Sequence, residues 1–358
     1  MPAVECDFLV IGGGIAGLSA GAALSPLGRV VVWEAEAGLG HHASGRSAAL
    51  FEESYGLPPV VALNRASRDD HARAGHMSPR GFLLVGLTGE DGFDRDVAAL
   101  GLEEIGAVAA RERVPILSER VDRAGWHPDA FDLDTGAMLQ GHARTIRRAG
   151  GTARTGMRLE ALDRTAGGWL ARTGTEDIAA RTLVNAAGAW ADGVARMAGV
   201  KPLGLTPLRR SMARLAAPGG CDVRGWPMLM GVGERWYAKP DAGAWIVSPA
   251  EEDPSDPVDA MADDMVLAEG LDRYQAAVAV PVTRPMATWA GLRTFTPDRC
   301  LALGPAPDDA AFVWVAGQGG YGFQTSPAAA RLVADRVAGR PSELDAETLA
   351  ATDPGRFK

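Results

Sequence analysis

Cysteine is nearly missing from this 358-residue chain: Cys6, Cys221 and Cys300 are scattered, odd in number and form no C-x-x-C pair. Neither a disulfide framework nor a zinc site is thereby suggested, no other metal site suggests itself, and a reducing compartment is expected. Lysine is equally scarce, with only Lys201, Lys239 and Lys358 among 36 basic residues; set against 45 acidic ones these give a formal charge of -9. That balance argues against nucleic acid as a partner. The longest apolar stretch, Leu9 to Leu24, is too short and too rich in glycine to cross a bilayer, so no transmembrane segment is expected. Glu5 and Asp7 precede it where a secretory signal would carry positive charge, and the expected location is cytoplasmic. Periodicity is also lacking among the 45 glycines and 23 prolines, which excludes collagen-like order, while 47% hydrophobic and 23% charged residues are ordinary for a folded globular chain. The length fits two domains or one large α/β unit.

What is present begins with Cys6-Asp7-Phe8-Leu9-Val10-Ile11, an apolar run with too little alternation for a half-exposed strand, so it reads as a buried parallel one. A Gly-rich turn follows, then helix-length small and apolar residues from Ile15 to Leu27, a stop at Gly28, and a second strand at Val30-Val31-Val32-Trp33. Gly12-Gly13-Gly14-Ile15-Ala16-Gly17 satisfies G-x-G-x-x-G in the strand-turn-helix context that gives the pattern meaning. Gly12 permits the tight turn, Gly14 admits a pyrophosphate to the backbone beside the Ile15–Ala16 helix start, and Gly17 lets helix and strand approach. Glu34, followed by Ala35, ends the second strand about 20 residues on, where a carboxylate meets ribose hydroxyls. The structural alternative is that these glycines only ease packing. Gly17-Leu18-Ser19-Ala20-Gly21 spells G-x-S-x-G, but its serine falls inside the helix and not at a strand-to-helix elbow, so a hydrolase is not indicated.

Further along, Val60 to Arg73, Asp94 to Leu100 and Leu139 to Arg148 read as helices, and Phe82 to Val85 as a strand. Arg158-Leu159-Glu160, Trp169-Leu170-Ala171 and Thr182-Leu183-Val184 read as strands, as do Arg209 to Leu215, Trp236 to Lys239, Ala244 to Val247 and Ala277 to Val280. Val313 to Ala316, Gly317 to Gly322 and Pro327 to Val337 give a last strand, turn and helix. A β-rich unit inserted into a nucleotide-binding unit accounts for this order.

Four segments carry a family resemblance. Gly40-His41-His42-Ala43-Ser44-Gly45-Arg46-Ser47-Ala48-Ala49 is similar to the flavin-wrapping segment of the D-amino acid oxidase/sarcosine oxidase superfamily. Val184 to Asp192 resembles its second nucleotide-proximal turn, Gly291 to Asp298 its substrate-facing arginine segment, and Gly317 to Thr325 its closing loop. The resemblance implies a Rossmann-like α/β (α+β overall) FAD-binding domain of glutathione-reductase-like type over 1–80, 142–207 and 289–358. It implies an interleaved β-rich substrate-binding domain over 81–141 and 208–288. Besides the first turn, the implied cofactor residues are His42, Ser44, Arg46, Ser47 and Ala48, then Ala187, Gly188 and Trp190, then Gly319, Gly320, Tyr321, Gly322, Phe323 and Gln324. Tyr321 would serve equally as ordinary core. FAD is expected to be noncovalent, because the position that carries a linking cysteine in some relatives matches Gly291, with Cys300 beyond it.

Within the superfamily the chain is most similar to bacterial FAD-dependent D-amino acid dehydrogenases of the D-arginine type. That likeness implies a substrate carboxylate held by Tyr55, Arg210, Tyr237 and Arg293, with the Gly320 carbonyl near the amine. Two guanidiniums suit the task, since each offers a donor fork matching two carboxylate oxygens; the plain alternative is a pair of surface arginines. The implied side-chain pocket comprises Leu50, Glu52, Phe82, Met228 and Met230. Phe82 replaces a glutamate that meets a cationic side chain in D-arginine-type enzymes, and Leu50 replaces a histidine, so an uncharged substrate side chain is favoured. Glu52 keeps the opposite option open if its carboxylate points inward. Ser248 stands where oxidases carry an oxygen-activating lysine, which favours a dehydrogenase passing electrons to a quinone or a protein. N-methyl amino acids, 2-hydroxy acids, a flavin-carrying subunit of a larger complex and an NAD(P) enzyme are the competing readings.

Overall fold

The computed structural model describes residues 5–357. Its first sheet has eight strands, with Cys6–Ile11 inside it, parallel to Val30–Trp33 on one side and to Asp177–Asn185 on the other. Thr152–Arg154 extends the parallel run beyond Val30–Trp33, and Phe312–Ala316 joins Asp177–Asn185. Parallel neighbours need crossovers, and these come as helices. Ile15–Leu24 packs on Thr135–Arg148 and on Gly322–Ala338, burying Leu18, Leu24, Ile146 and Leu332 against Val10, Val32 and Val313. The opposite face is closed by Trp33, Trp169 and Trp314.

The second sheet has nine strands and is mostly antiparallel. Its long pair, Thr206–Leu215 with Ala287–Phe295, sets Arg210 opposite Gly291 and Leu208 opposite Arg293. Because side chains alternate along a strand, Arg210 and Arg293 stand on one face as diagonal neighbours, within reach of a shared ligand. The same face continues through Tyr237 and Met230, paired across an antiparallel ladder, and through Met228 and Phe82, paired across a parallel one. The reverse face packs Trp226, Trp236 and Trp245 under the helix Asp264–Ala277. A three-stranded sheet of Leu50–Phe51, Phe131–Leu133 and Met77–Pro79 completes the fold.

Several expected elements shift. The first helix ends at Leu24, before Gly28. Residues 158–160 are not a strand; the chain there leaves Thr152–Arg154 and turns outward to the hairpin Ala161–Thr165/Gly168–Arg172. Ala277 closes a helix instead of opening a strand, and Val278 makes a single bridge to Leu117. The β-branched residues at 278 and 280 favoured a strand, but Asp263 caps the helix that precedes them, its side chain accepting from the amides of Met265 and Val266. The helix expected from Pro327 starts at Gly322 and carries Pro327 within its second turn, and a further short helix follows at Ala346–Ala351.

Candidate active site

A cavity of about 500 Å³ lies between the two large sheets, within the range of small-molecule sites. At one end the first strand turns into the first helix at Gly12, whose φ of +110° and close approach to the Ala186 carbonyl leave no room for a side chain. A Cβ on Gly17 would lie 2.0 Å from the Gly12 carbonyl oxygen, so glycine is what allows helix and strand to touch. Ser44 Oγ accepts from the Ile15 amide at 3.0 Å, and the other first-turn amides have no intrahelical acceptor. They form the anion-binding end that a pyrophosphate requires. Glu34 is fixed by the amides of Gly13 at 2.7 Å and Glu36 at 2.9 Å, which leaves carboxylate lone pairs for hydroxyl donors.

The middle of the cavity is walled by Ser44 and Arg46 to Ala48, by Ala187 to Trp190 and by Gly317 to Gly320. His42 packs on Trp190 at 4.6 Å and bonds Glu36 at 3.2 Å. Arg46 is turned toward Asp259 and the carbonyls of Ala260 and Ala290, and so braces the second sheet against this wall. Gly320 abuts the Arg293 guanidinium, where a Cβ would fall 2.9 Å from Nη1.

At the far end Arg210, Arg293 and Tyr55 converge on one carboxylate of the protein itself, that of Glu234. Arg210 Nη1 donates to Glu234 Oε1 at 2.9 Å, and the Tyr55 hydroxyl donates to the same carboxylate at 2.9 and 3.0 Å. Arg210 Nη2 also meets Glu252 at 3.3 Å, and Glu252 is shared with Arg299 at 2.8 Å. Arg293 is engaged more loosely, at 3.5 Å from Glu234 and 3.4 Å from the Tyr55 oxygen. Three guanidiniums against two carboxylates leave one positive charge uncompensated, and Arg293 has the spare donors. Burial opposes ionisation of Glu234, but Arg210 and Arg293 outweigh it and hold its pKa below the usual carboxylate value. Burial, then the Glu234 charge, pushes the Tyr55 hydroxyl far up, so Tyr55 stays a phenol. Burial also opposes the charge on Arg293, and the oxygens of Tyr55, Tyr237 and Glu234 more than offset it. Glu234 takes a left-handed conformation, φ +51°, directly after Gly233 at +70°. Such a backbone is disfavoured for glutamate, and the ion pairs are what hold it there.

Beside this cluster, Leu50, Phe82, Met212, Met228 and Met230 line an apolar chamber, with Tyr237 presenting a hydroxyl whose partner is Met212 Sδ at 3.6 Å. Glu52 is also among the lining residues, but its Oε2 is closed off from solvent and lies 2.8 Å from His127 Nε2 without a hydrogen bond.

The profile of the DAO family, FAD dependent oxidoreductase, matches residues 7–336. The chain belongs to that family. FAD is accordingly its cofactor, and the glycine turn, the Glu34 carboxylate and the walled cavity are the features that FAD requires. A curated relative, the uncharacterized oxidoreductase YurR of Bacillus subtilis (strain 168), is 26% identical over 192 residues, 51% of this chain and about half, 48%, of that protein. Two solved structures share the fold: glycine oxidase from Geobacillus kaustophilus (TM-score 0.80, 21% identity, 97% of this chain and 98% of the other) and L-proline dehydrogenase from P. horikoshii (0.83, 22%, 99% and 98%). Among the described residues of this DAO-family chain, no helix is long and apolar enough to cross a membrane.

Every residue expected around the cofactor lines the cavity except two. Gly17 lies behind the turn, where it serves helix–strand contact. Tyr321 is turned into the core against Tyr55 at 5.5 Å and Phe295 at 6.1 Å, which is the packing role. Tyr55, Arg210, Tyr237, Arg293, Gly320, Leu50, Glu52, Phe82, Met228 and Met230 all line it. Ser248 does not, because its hydroxyl donates to the Ser211 carbonyl at 2.7 Å inside the sheet. The sequence reading missed Glu234, Met212 and His127. Glu234 has a weak local signal, an acid ending the Gly231-Val232-Gly233 turn ahead of a strand; the other two have none without the fold.

Proposed function

We propose that this protein oxidises an amino acid, most simply a D-amino acid, to its imino acid, acting as a dehydrogenase with noncovalent FAD. The observation that carries the reading is the convergence of Arg210, Arg293 and Tyr55 from separate strands and a turn on a carboxylate at the end of a flavin-sized cleft. Bound FAD supplies the acceptor for the hydride equivalents that leave the substrate's Cα. The protein's part is orientation. Arg293, the least saturated donor, takes the substrate carboxylate in a forked contact, and Glu234 yields to it while Arg210 keeps its second partner, Glu252. The Tyr237 hydroxyl, held only by the weak acceptor Met212 Sδ, can turn to complete the clamp, and the Gly320 backbone lies against Arg293, on the side where the substrate amine would sit.

A noncovalent cofactor is supported by the cavity wall, which contains Gly291 and not Cys300. The names of the fold neighbours, glycine oxidase and L-proline dehydrogenase, are consistent with an amino acid substrate. The reading is tested by adding D- and L-amino acids, N-methyl amino acids and 2-hydroxy acids anaerobically to the FAD-loaded protein and following visible absorption. Bleaching by α-amino acids is expected. Bleaching by none of them would leave a flavin-carrying or binding role, and a colourless protein that cannot be loaded with FAD would remove the reading altogether.

The pH dependence follows from the same groups. Tyr55 is held as phenol, Glu234 as carboxylate and Arg293 as cation, so none of them changes charge across neutral to mildly alkaline pH. The titrating group is then the substrate amine, which reacts when neutral. The reduction rate is expected to rise with pH to a plateau; a falling profile, with chemistry rate-limiting, would contradict it.

A further inference from the structure

Lysine is rare in this chain, yet one lysine is buried against the wall of the cofactor cavity. Lys239 follows Tyr237 by two residues on the strand Tyr237–Asp241, and side chains two apart share a face, so it projects on the same side of the sheet as that cavity-lining tyrosine. It is 5% exposed. Its ammonium donates to the Ala48 carbonyl at 2.8 Å and to the Asp132 carboxylate. Asp132 is shared with Arg80, whose Nε donates to it at 2.8 Å. Arg80 Nη1 donates in turn to the carbonyls of Arg224 and Trp226, both at 2.7 Å. Two cations thus share one carboxylate, and among the described residues no other carboxylate lies within 4.0 Å of either. The cluster carries a surplus positive charge. Burial pulls the Lys239 pKa down, and Asp132, in direct contact, works to keep the proton on.

Ala48, the residue that Lys239 grips, belongs to the wall at the middle of the cavity. The amides of Ser47 and Ala48 find no acceptor among the described residues, whereas the next amide, that of Ala49, is taken by Ser47 Oγ at 3.0 Å. Backbone donors left unpaired at a cavity wall are available to a ligand acceptor. Ala49 itself is left-handed, φ +57°, a conformation that alanine adopts at a cost. Two contacts hold the chain there. Lys239 takes the Ala48 carbonyl, and the Leu133 amide donates to the Ala49 carbonyl at 2.8 Å. Leu133 follows Asp132 directly, so the acid that balances Lys239 and the amide that anchors Ala49 come from one strand, Phe131–Leu133.

We infer that Lys239 is a positioning residue for the flavin: it fixes the peptide whose neighbouring amides are open to the ring, and the surplus positive charge of its cluster raises the tendency of bound FAD to accept electrons. A flavin gains negative charge on reduction, and a cation held one peptide away in a poorly solvated place favours the reduced form. A salt bridge kept only for stability needs no such arrangement, since a buried ion pair gains little over apolar packing. The inference goes beyond the proposed reaction by naming a residue that sets its driving force, and it holds whatever the electron donor is.

The test reads the two-electron midpoint potential of bound FAD in the full chain, by anaerobic equilibration with reference dyes, with FAD content and thermal midpoint recorded alongside. Lys239→Met is expected to shift the equilibrium with the dye at least about 10-fold toward oxidised flavin, or roughly 30 mV for two electrons. Lys239→Arg keeps the charge and is expected to stay within about threefold of wild type. A Lys239→Met potential equal to that of the wild type overturns the inference. So does an equal drop in Lys239→Arg, which would make packing and not charge the cause. If Lys239→Met does not load FAD, Lys239→Gln, which retains a donor for the Ala48 carbonyl, is read in its place by the same outcomes. No amino acid enters this measurement, so its failure leaves the proposed function standing, and a failure of the bleaching experiment leaves this inference intact.

Discussion

Arg210 and Arg293 look equivalent in the sequence and are not equivalent in the structure. Arg210 is 5% exposed and tied to both Glu234 and Glu252, so removing it takes a cation from two carboxylates at once. Arg293 holds its partners at 3.4 and 3.5 Å and has donors to spare. Arg293→Lys is therefore expected to keep FAD content and thermal midpoint near wild type and to raise KM for the amino acid about 10- to 100-fold, since an ammonium cannot reproduce the fork. Arg210→Met is expected to lower the thermal midpoint as well, because both carboxylates are left with less compensation while Glu234 stays held only by Tyr55 and the looser Arg293. Equal effects of the two on stability would contradict the asymmetry. At this scale Arg293 was legible from a segment with a family likeness, and Tyr55 and Arg210 from the likeness to D-arginine-type dehydrogenases. Glu234 was not, because an acid after a glycine turn is an ordinary solvated loop residue until the fold carries it into the cavity.

Elements were legible where their reason is local. The strand Cys6–Ile11, the glycine turn and the helix from Ile15 follow from composition and spacing within about 30 residues. The helix Asp264–Ala277 was missed because its sequence, DMVLAEGLDRYQAA, lacks a strong apolar stripe and contains Gly270, which only the contact with Pro249 explains. The pairing of Thr206–Leu215 with Ala287–Phe295, which sets the two arginines on a common diagonal, joins segments some 80 residues apart, and no local pattern encodes that register. The glycine turn makes a sharp prediction. Gly17→Ala forces a Cβ against the Gly12 carbonyl at 2.0 Å, so the purified variant should lose bound FAD and show a lowered thermal midpoint. Full FAD content in that variant would mean that the turn does not carry the cofactor.

On the scale of the whole molecule the site belongs to neither sheet alone. The parallel sheet brings the glycine turn and Glu34, the mostly antiparallel sheet brings the arginines and the methionine wall, and the turn at Glu52–Tyr55 closes the space between them. The order of the segments along the chain announced an interleaved architecture, but the cavity arises from contacts between sheets and was outside what a linear reading reaches. The acidic surplus of the chain, -9, also makes the local positive charge at Arg293 stand out as a device for one anion. The central claim is that a carboxylate held there presents the neighbouring carbon to the flavin. Its most direct test is the anaerobic bleaching of the FAD-loaded protein by an amino acid compared with the amine formed by removing its carboxylate. The account predicts reduction by the amino acid and none on the same timescale by the amine; reduction at equal rates by both would contradict it.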